Sequence, residues 1–193
     1  EIEALVNSAR SAGHGEPIWH ARTRPARGEV VAGQRVITLA ADTEAPLYVV
    51  HVTTAGLVDH LRRARACGAP VMGETCPQYL FFTEDHLMRT DGAKWVCSPP
   101  LRTDVHNAAL WKALADGSIQ TVGTDHCPFF FDGTTPIEYE GRPVAIAGKE
   151  LGQGDFRLIP NGLPGIEHRL PLLWTFGVGT GRFSAERFVE LVA

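Results

Sequence analysis

The segment that most constrains this chain is Leu47-Tyr48-Val49-Val50-His51-Val52, a short apolar run with a histidine near its end. A helical stretch follows from about Ala55 to Ala66, with Thr53-Thr54 placed to cap its start and Gly68 to end it. Val71–Thr75 reads as the next strand. Lys94–Cys97 reads as a third, ended by Pro99-Pro100, and Ile119–Gly123 as a fourth, after a helix over Val105–Ala115 that stops at Gly117. Strand, helix, strand, helix is the grammar of a parallel α/β sheet. The continuous apolar run over 47–52 predicts a strand buried on both faces.

A parallel sheet presents its chemistry at the C-terminal ends of its strands. Those ends carry His51, Thr75-Cys76, Ser98 and Asp125-His126. An imidazole and a carboxylate delivered by separate strands suit a divalent metal such as zinc. Spacing alone does not separate that role from a histidine satisfied in the core. His126 follows Asp125 directly, so alternation turns it to the other side and gives it a structural hydrogen bond. Cys127 has no placed oxyanion hole and is not read as a nucleophile. Cys76 and Cys97 read as small buried residues.

The rest of the chain is framework. Helices are expected over Ala4–Ala12, Glu29–Ala41 (weakened by Gly33), Leu170–Trp174 and Ser184–Ala193, and a loop over His14–Gly28. Asp132–Gly154 reads as a long loop or small hairpin, and Asn161–Gly165 as a turn-rich loop. Phe129–Phe131 is read as core under a loop rather than a substrate wall, Trp111 and Trp174 as core, and Trp19-His20 as packing at a rim or a subunit contact. With 193 residues, 44% of them hydrophobic, the chain is long enough to bury a core without disulfides. Four cysteines without a CxxC pair point to reduced thiols and a cytoplasmic setting. A net charge of -4 without a basic block argues against nucleic acid. Arg62, Arg63 and Arg65 read as the wet face of a helix. No apolar run is long enough to span a membrane.

Five ordered segments carry a resemblance. They are His51-Val52-Thr53-Thr54, Gly73-Glu74-Thr75-Cys76-Pro77-Gln78-Tyr79-Leu80, Cys97-Ser98-Pro99-Pro100-Leu101-Arg102, Gly123-Thr124-Asp125-His126-Cys127-Pro128-Phe129 and Ile159-Pro160-Asn161-Gly162-Leu163-Pro164-Gly165. Together they resemble the dihydropyrimidinases and D-hydantoinases of the amidohydrolase superfamily. The likeness starts at His20-Ala21-Arg22-Thr23-Arg24-Pro25 and runs through Arg169-Leu170-Pro171-Leu172-Leu173.

The resemblance implies an incomplete TIM-like (β/α)8 barrel, roughly its last three or four strand-helix units, with residues 1–193 forming part of the catalytic domain. It implies hydrolysis of a cyclic amide, a dihydropyrimidine or hydantoin ring, by a metal-bound hydroxide. His51 matches the last histidine ligand, on the more exposed of two metals, and Asp125 the aspartate that binds the other metal and serves as general base and acid. Ser98 and Asn161 match positions whose backbone groups grip the imide of the ring. Two zinc ions per site and a homotetramer are implied for the parent protein.

The family's His-x-His pair, carbamylated lysine, remaining histidine and oxyanion tyrosine have no match here and would precede Glu1. The closing strands would follow Ala193. The 193 residues alone are therefore expected to bind metal weakly and not to turn over. Robust metal-dependent hydrolysis of dihydrouracil by the isolated chain would contradict that. Allantoinases and dihydroorotases share the metal site, but the Lys149–Gly165 segment fits hydantoinases better. Related neuronal assembly proteins lack the histidine and aspartate that are present here as His51 and Asp125.

Overall fold

The structure, a computed structural model, describes residues 1–131, 137–144 and 148–193. In chain order its elements are α1 (Ile2–Ser11), α2 (Ile18–Arg22), α3 (Ala26–Thr43), β1 (Leu47–Val49), α4 (Ala55–Ala66), β2 (Val71–Thr75), α5 (Pro77–Phe81), α6 (Asp104–Asp116), β3 (Thr121–Val122), β4 (Ile137–Tyr139), β5 (Arg142–Val144), α7 (Arg169–Leu173) and α8 (Ala185–Val192), with short 3-10 turns between. Among the described residues no helix is long and apolar enough to cross a membrane. The chain divides into two compact units, one of Pro25–Thr83, Arg102–Asp125 and Gly165–Ala193, the other of Glu1–Arg24, Glu84–Leu101 and His126–Pro164.

The first unit is α/β. Its sheet has the order β1-β2-β3, all parallel, with Leu47 beside Val71 and Thr75 beside Val122. One face is dry. Leu57 and Leu61 of α4, Leu110 and Leu114 of α6, and Val71, Ile119 and Val122 are almost wholly buried. A Cβ on Gly73 would come within 2.7 Å of Leu61, so the glycine lets α4 sit close to the sheet. On the opposite face Tyr48 and Met72, which are register partners, stay 45% and 41% exposed. This corrects the expectation of a strand buried on both faces. The run over 47–52 forms a strand only at Leu47–Val49, and it is the edge of the sheet. Within this unit helices cover a single face, and the apolar run serves an open one. The strand expected over Ile119–Gly123 is likewise short, Thr121–Val122.

Helix α3 runs longer than its pattern predicted, from Pro25 at its start to Glu44, whose φ of 54° ends it in the left-handed region ahead of Pro46. Gly33 has a packing role. A Cβ there would lie 2.2 Å from Leu57 Cδ1, and one on Gly56 of α4 would lie 2.9 Å from Val30. The two glycines let α3 and α4 approach closely. Gly33→Val is expected to lower stability by about 2 kcal/mol, because overpacking outweighs the gain in helix propensity. Urea unfolding of the two proteins checks this.

Gly68 (φ 86°) and Gly117 (φ 79°) stop α4 and α6 as their positions predicted. Arg62, Arg63 and Arg65 are exposed, and Arg62 pairs with Asp59 and Asp116. Trp111 is half-buried and donates to the Leu80 carbonyl at 3.1 Å. Trp174 is 51% exposed rather than core, because α7 ends at Leu173 and the next turn widens into a π turn. Ser184 caps α8 by accepting from the Arg187 amide.

The second unit packs Ala9, Ile18, Ala21, Leu87, Val96, Phe156 and Ile159 into a small core. Helix α2 lies inside the expected 14–28 loop. Its His20 is buried and donates from Nε2 to the Cys97 carbonyl at 2.9 Å, while Trp19 stacks on His14 at 3.8 Å. Lys94–Cys97 is not a strand. A 3-10 turn covers Gly92–Trp95, and Val96 and Cys97 are buried as irregular chain. Phe129, Phe130 and Phe131 are 38–45% exposed, so within this chain they are not core. The Asp132–Gly154 stretch holds an antiparallel hairpin of β4 and β5, turned by Glu140 and Gly141 at φ 51° and 72°. Residues 132–136 and 145–147 of it lie outside the described residues.

Candidate functional site

His51 stands two residues beyond β1 with φ 55°, and Asp125 three residues beyond β3 with φ 45°. A non-glycine residue in the left-handed region is uncommon and costs energy, so the surrounding structure must enforce it. For His51 the enforcement is visible in the residues that follow it. The Val52 amide donates to the Glu74 carbonyl at 2.7 Å, and Thr75 Oγ1 donates to the Val52 carbonyl at 2.8 Å. One residue on, Glu29 of α3 accepts from the amides of Thr53 and Thr54 at 2.8 and 3.1 Å. Thr54, predicted to cap α4, makes no side-chain cap of its own; its hydroxyl donates to Glu29 instead. Arg102, itself buried, pairs with Glu29 at 3.1 Å.

These backbone turns bring His51 and Asp125 together. His51 Nε2 lies 3.7 Å from Asp125 Oδ1, and both side chains are about one quarter exposed, at 28% and 26%. Two donors about 2.1 Å from one ion at a near-tetrahedral angle sit about 3.4 Å apart. The donor pair therefore fits a divalent cation in both chemistry and spacing.

The other ring nitrogen has different neighbours. Nδ1 is 3.3 Å from Glu74 Oε1 and 3.5 Å from Cys76 Sγ. Glu74 is held by Tyr48, whose hydroxyl donates to Oε2 at 2.9 Å and also lies 2.6 Å from Thr121 Oγ1. Gly123 makes room for that carboxylate, since a Cβ there would come within 2.6 Å of it. Cys76 is fully buried and Cys97 nearly so, as predicted. Glu74 and Glu29 were missed. Glu74 had a signal, a place near the end of a strand; Glu29 acts on residues 24 and 25 positions away and had none.

Ser98 and Asn161 belong to the second unit, and both are exposed. Their segments are tied at Val96, whose carbonyl accepts from the Gly162 amide at 3.0 Å and from Lys149 Nζ at 2.8 Å. Ser98 Oγ lies 3.4 Å from His20 Nε2. His126 is exposed, and its backbone pairs with Leu163 in an isolated parallel bridge.

Lys149 is 3% exposed and also donates to the Lys94 carbonyl at 3.0 Å. Burial pushes its ammonium down to about 8 from the ordinary 10.5. The unfolded chain thus binds the proton more tightly, and the folded state carries the full penalty below about pH 8 and loses it as pH rises toward 10.5. Stability is expected to rise by about 3 kcal/mol between pH 8 and 10.5 from this group. Lys149→Met should remove that rise, which paired unfolding curves across the range will detect.

No protein-family model matches the chain. Curated relatives do. A D-hydantoinase of Streptomyces coelicolor is 46% identical over 192 residues, 98% of this chain and 38% of the relative. A D-hydantoinase of Geobacillus stearothermophilus is 43% identical over 194 residues, covering all of this chain and 38% of its own length. Among solved structures, a D-hydantoinase from Bacillus sp. AR9 and a dihydropyrimidinase from Brevibacillus agri each superpose with a TM-score of 0.90 at 44% identity, over 100% of this chain and 39% of theirs. The chain spans about two fifths of the length of the relatives it matches. From one end to the other, these 193 residues belong to the D-hydantoinase and dihydropyrimidinase family, as a segment of its fold.

Proposed function

We propose that the protein opens cyclic amide rings of the hydantoin or dihydropyrimidine kind by metal-dependent hydrolysis. The observation that carries this is the 3.7 Å approach of His51 Nε2 and Asp125 Oδ1 from the ends of two parallel strands, in a chain whose relatives are D-hydantoinases. The same reading makes residues 1–193 one stretch of a (β/α)8 barrel, its last three or four strand-helix units. The open face bearing Tyr48 and Met72 supports it, because parallel sheets are covered on both faces in complete folds.

His51 and Asp125 would each help to hold one of a pair of divalent cations, which would supply Lewis acidity toward a ring carbonyl and make water acidic enough to attack near neutral pH. Asp125 accepts the proton released as water adds to the carbonyl carbon, and returns it to the ring nitrogen as the C–N bond breaks. The product is a carbamoyl amino acid. Glu74, facing Nδ1, orients the imidazole so that the Nε2 lone pair points toward Asp125. That backbone groups at Ser98 and Asn161 grip the imide rests on the family resemblance alone. Two zinc ions per site and a homotetramer rest on the family resemblance; a cytoplasmic setting rests on four cysteines without a CxxC pair.

The test is ring opening by the full-length protein carrying these residues, with hydantoin, dihydrouracil, allantoin and dihydroorotate as substrates. Hydrolysis of the first two, abolished by a chelator, is expected. Preference for allantoin or dihydroorotate, or turnover untouched by chelation, would refute the reading.

A further inference from the structure

His51 faces two donor sets at once, and the second is as well built as the first. On the Nδ1 side Cys76 Sγ and Glu74 Oε1 lie 3.5 and 3.3 Å from the nitrogen and 4.0 Å from each other. A tetrahedral ion with ordinary zinc bonds to sulfur, nitrogen and oxygen sets such donors about 3.6 Å (S–N), 3.4 Å (N–O) and 3.6 Å (S–O) apart. The three atoms therefore outline a tetrahedron short of its fourth corner, with all of them within 4.8 Å of one another. Glu74 is preset for this, because Tyr48 occupies Oε2 and leaves Oε1 turned inward. Cys76 is fully buried, whereas Glu74 and His51 keep side-chain exposures of 15% and 28%, so an ion enters past the carboxylate and the ring.

We infer that His51 Nδ1, Glu74 Oε1 and Cys76 Sγ form a second cation site, selective for a soft, thiophilic divalent ion, that competes with the hydrolytic site for the same imidazole. Thiolate selects soft ions over hard ones. On binding, the Cys76 thiol loses its proton to solvent and the sulfur–metal bond replaces the S–H bond. A neutral imidazole has one lone pair, so ligation through Nδ1 moves the ring proton to Nε2. That nitrogen then donates rather than ligates, and the hydrolytic ion that His51 would hold is lost. The competition rests on the hydrolytic reading above; the three-donor site does not.

Cadmium is the probe. The full-length protein is stripped of metal by chelation and titrated with Cd2+, and the ultraviolet cadmium–thiolate band is read in the parent, Cys76→Ser and Asp125→Asn. The parent-minus-Cys76→Ser difference isolates this thiol from any other. Affinity should fall in Cys76→Ser by more than the roughly tenfold that losing an outer partner of a metal site costs, and stay within about threefold in Asp125→Asn. Nitrogen-15 spectra of the unmutated protein should show cadmium on Nδ1 of His51, a reading independent of whether any variant folds. Cys76→Ala should keep basal turnover and resist cadmium. A band unchanged in Cys76→Ser, or cadmium on Nε2, overturns the site. Cadmium bound through Cys76 with zinc content and hydrolysis intact overturns the competition. Failure of the hydrolytic reading would appear separately, as no zinc-dependent turnover before cadmium is added.

Discussion

Asp125→Asn in the full-length protein is expected to cut turnover by at least about a thousandfold, some 4 kcal/mol of transition-state stabilisation. Asparagine keeps the size of the side chain, and it tolerates the left-handed backbone of position 125, where φ is 45°. The fold is therefore undisturbed and the effect is chemical. The amide cannot take up the proton of attacking water, and its oxygen is a weaker ligand than a carboxylate. Two measurements separate these losses. Metal content by elemental analysis reports ligation, and kcat at saturating metal reports proton transfer. A variant that retained full metal and full turnover would remove Asp125 from both roles.

Glu29→Ala is expected to destabilise the protein by about 3–5 kcal/mol, the usual consequence of leaving one member of a buried ion pair behind. Glu29 and Arg102 side chains are 12% and 8% exposed, and the carboxylate also accepts from the amides and hydroxyls of Thr53 and Thr54. Its removal strips Arg102 of that carboxylate and releases the segment immediately after His51. Metal affinity should therefore weaken although residue 29 touches no proposed ligand. Glu29→Gln retains acceptors for part of the network and should fall between the two. Urea unfolding with a metal titration checks both. A loss under about 1 kcal/mol would mean that the pair is not the anchor described here.

The strand ends were legible because a parallel sheet delivers chemistry at one edge; that rule put His51 and Asp125 among the strand-end residues, and the family resemblance singled them out. The expected strand at Lys94–Cys97 failed for a definable reason. Val96 and Cys97 are buried, as an apolar run implies, but the Val96 carbonyl is satisfied by Gly162 and Lys149 rather than by a neighbouring strand. Hydrophobicity reports burial and is silent on which partner takes the backbone hydrogen bonds. Gly33 misled in the opposite direction, since its cost to an isolated helix is offset by the approach of α4 that only a missing Cβ permits.

Local sequence thus determined the order of the helices and of the paired parallel strands, the glycine stops, and the places of His51 and Asp125 just beyond two strand ends, because these depend on periodicity and on chain direction. Tertiary structure alone decided that His51 turns a different nitrogen to each donor set, that Glu29 braces it from α3, and that Lys149 is buried among carbonyls. Each of those depends on distances between residues far apart in the chain, and such distances are set only when the elements pack.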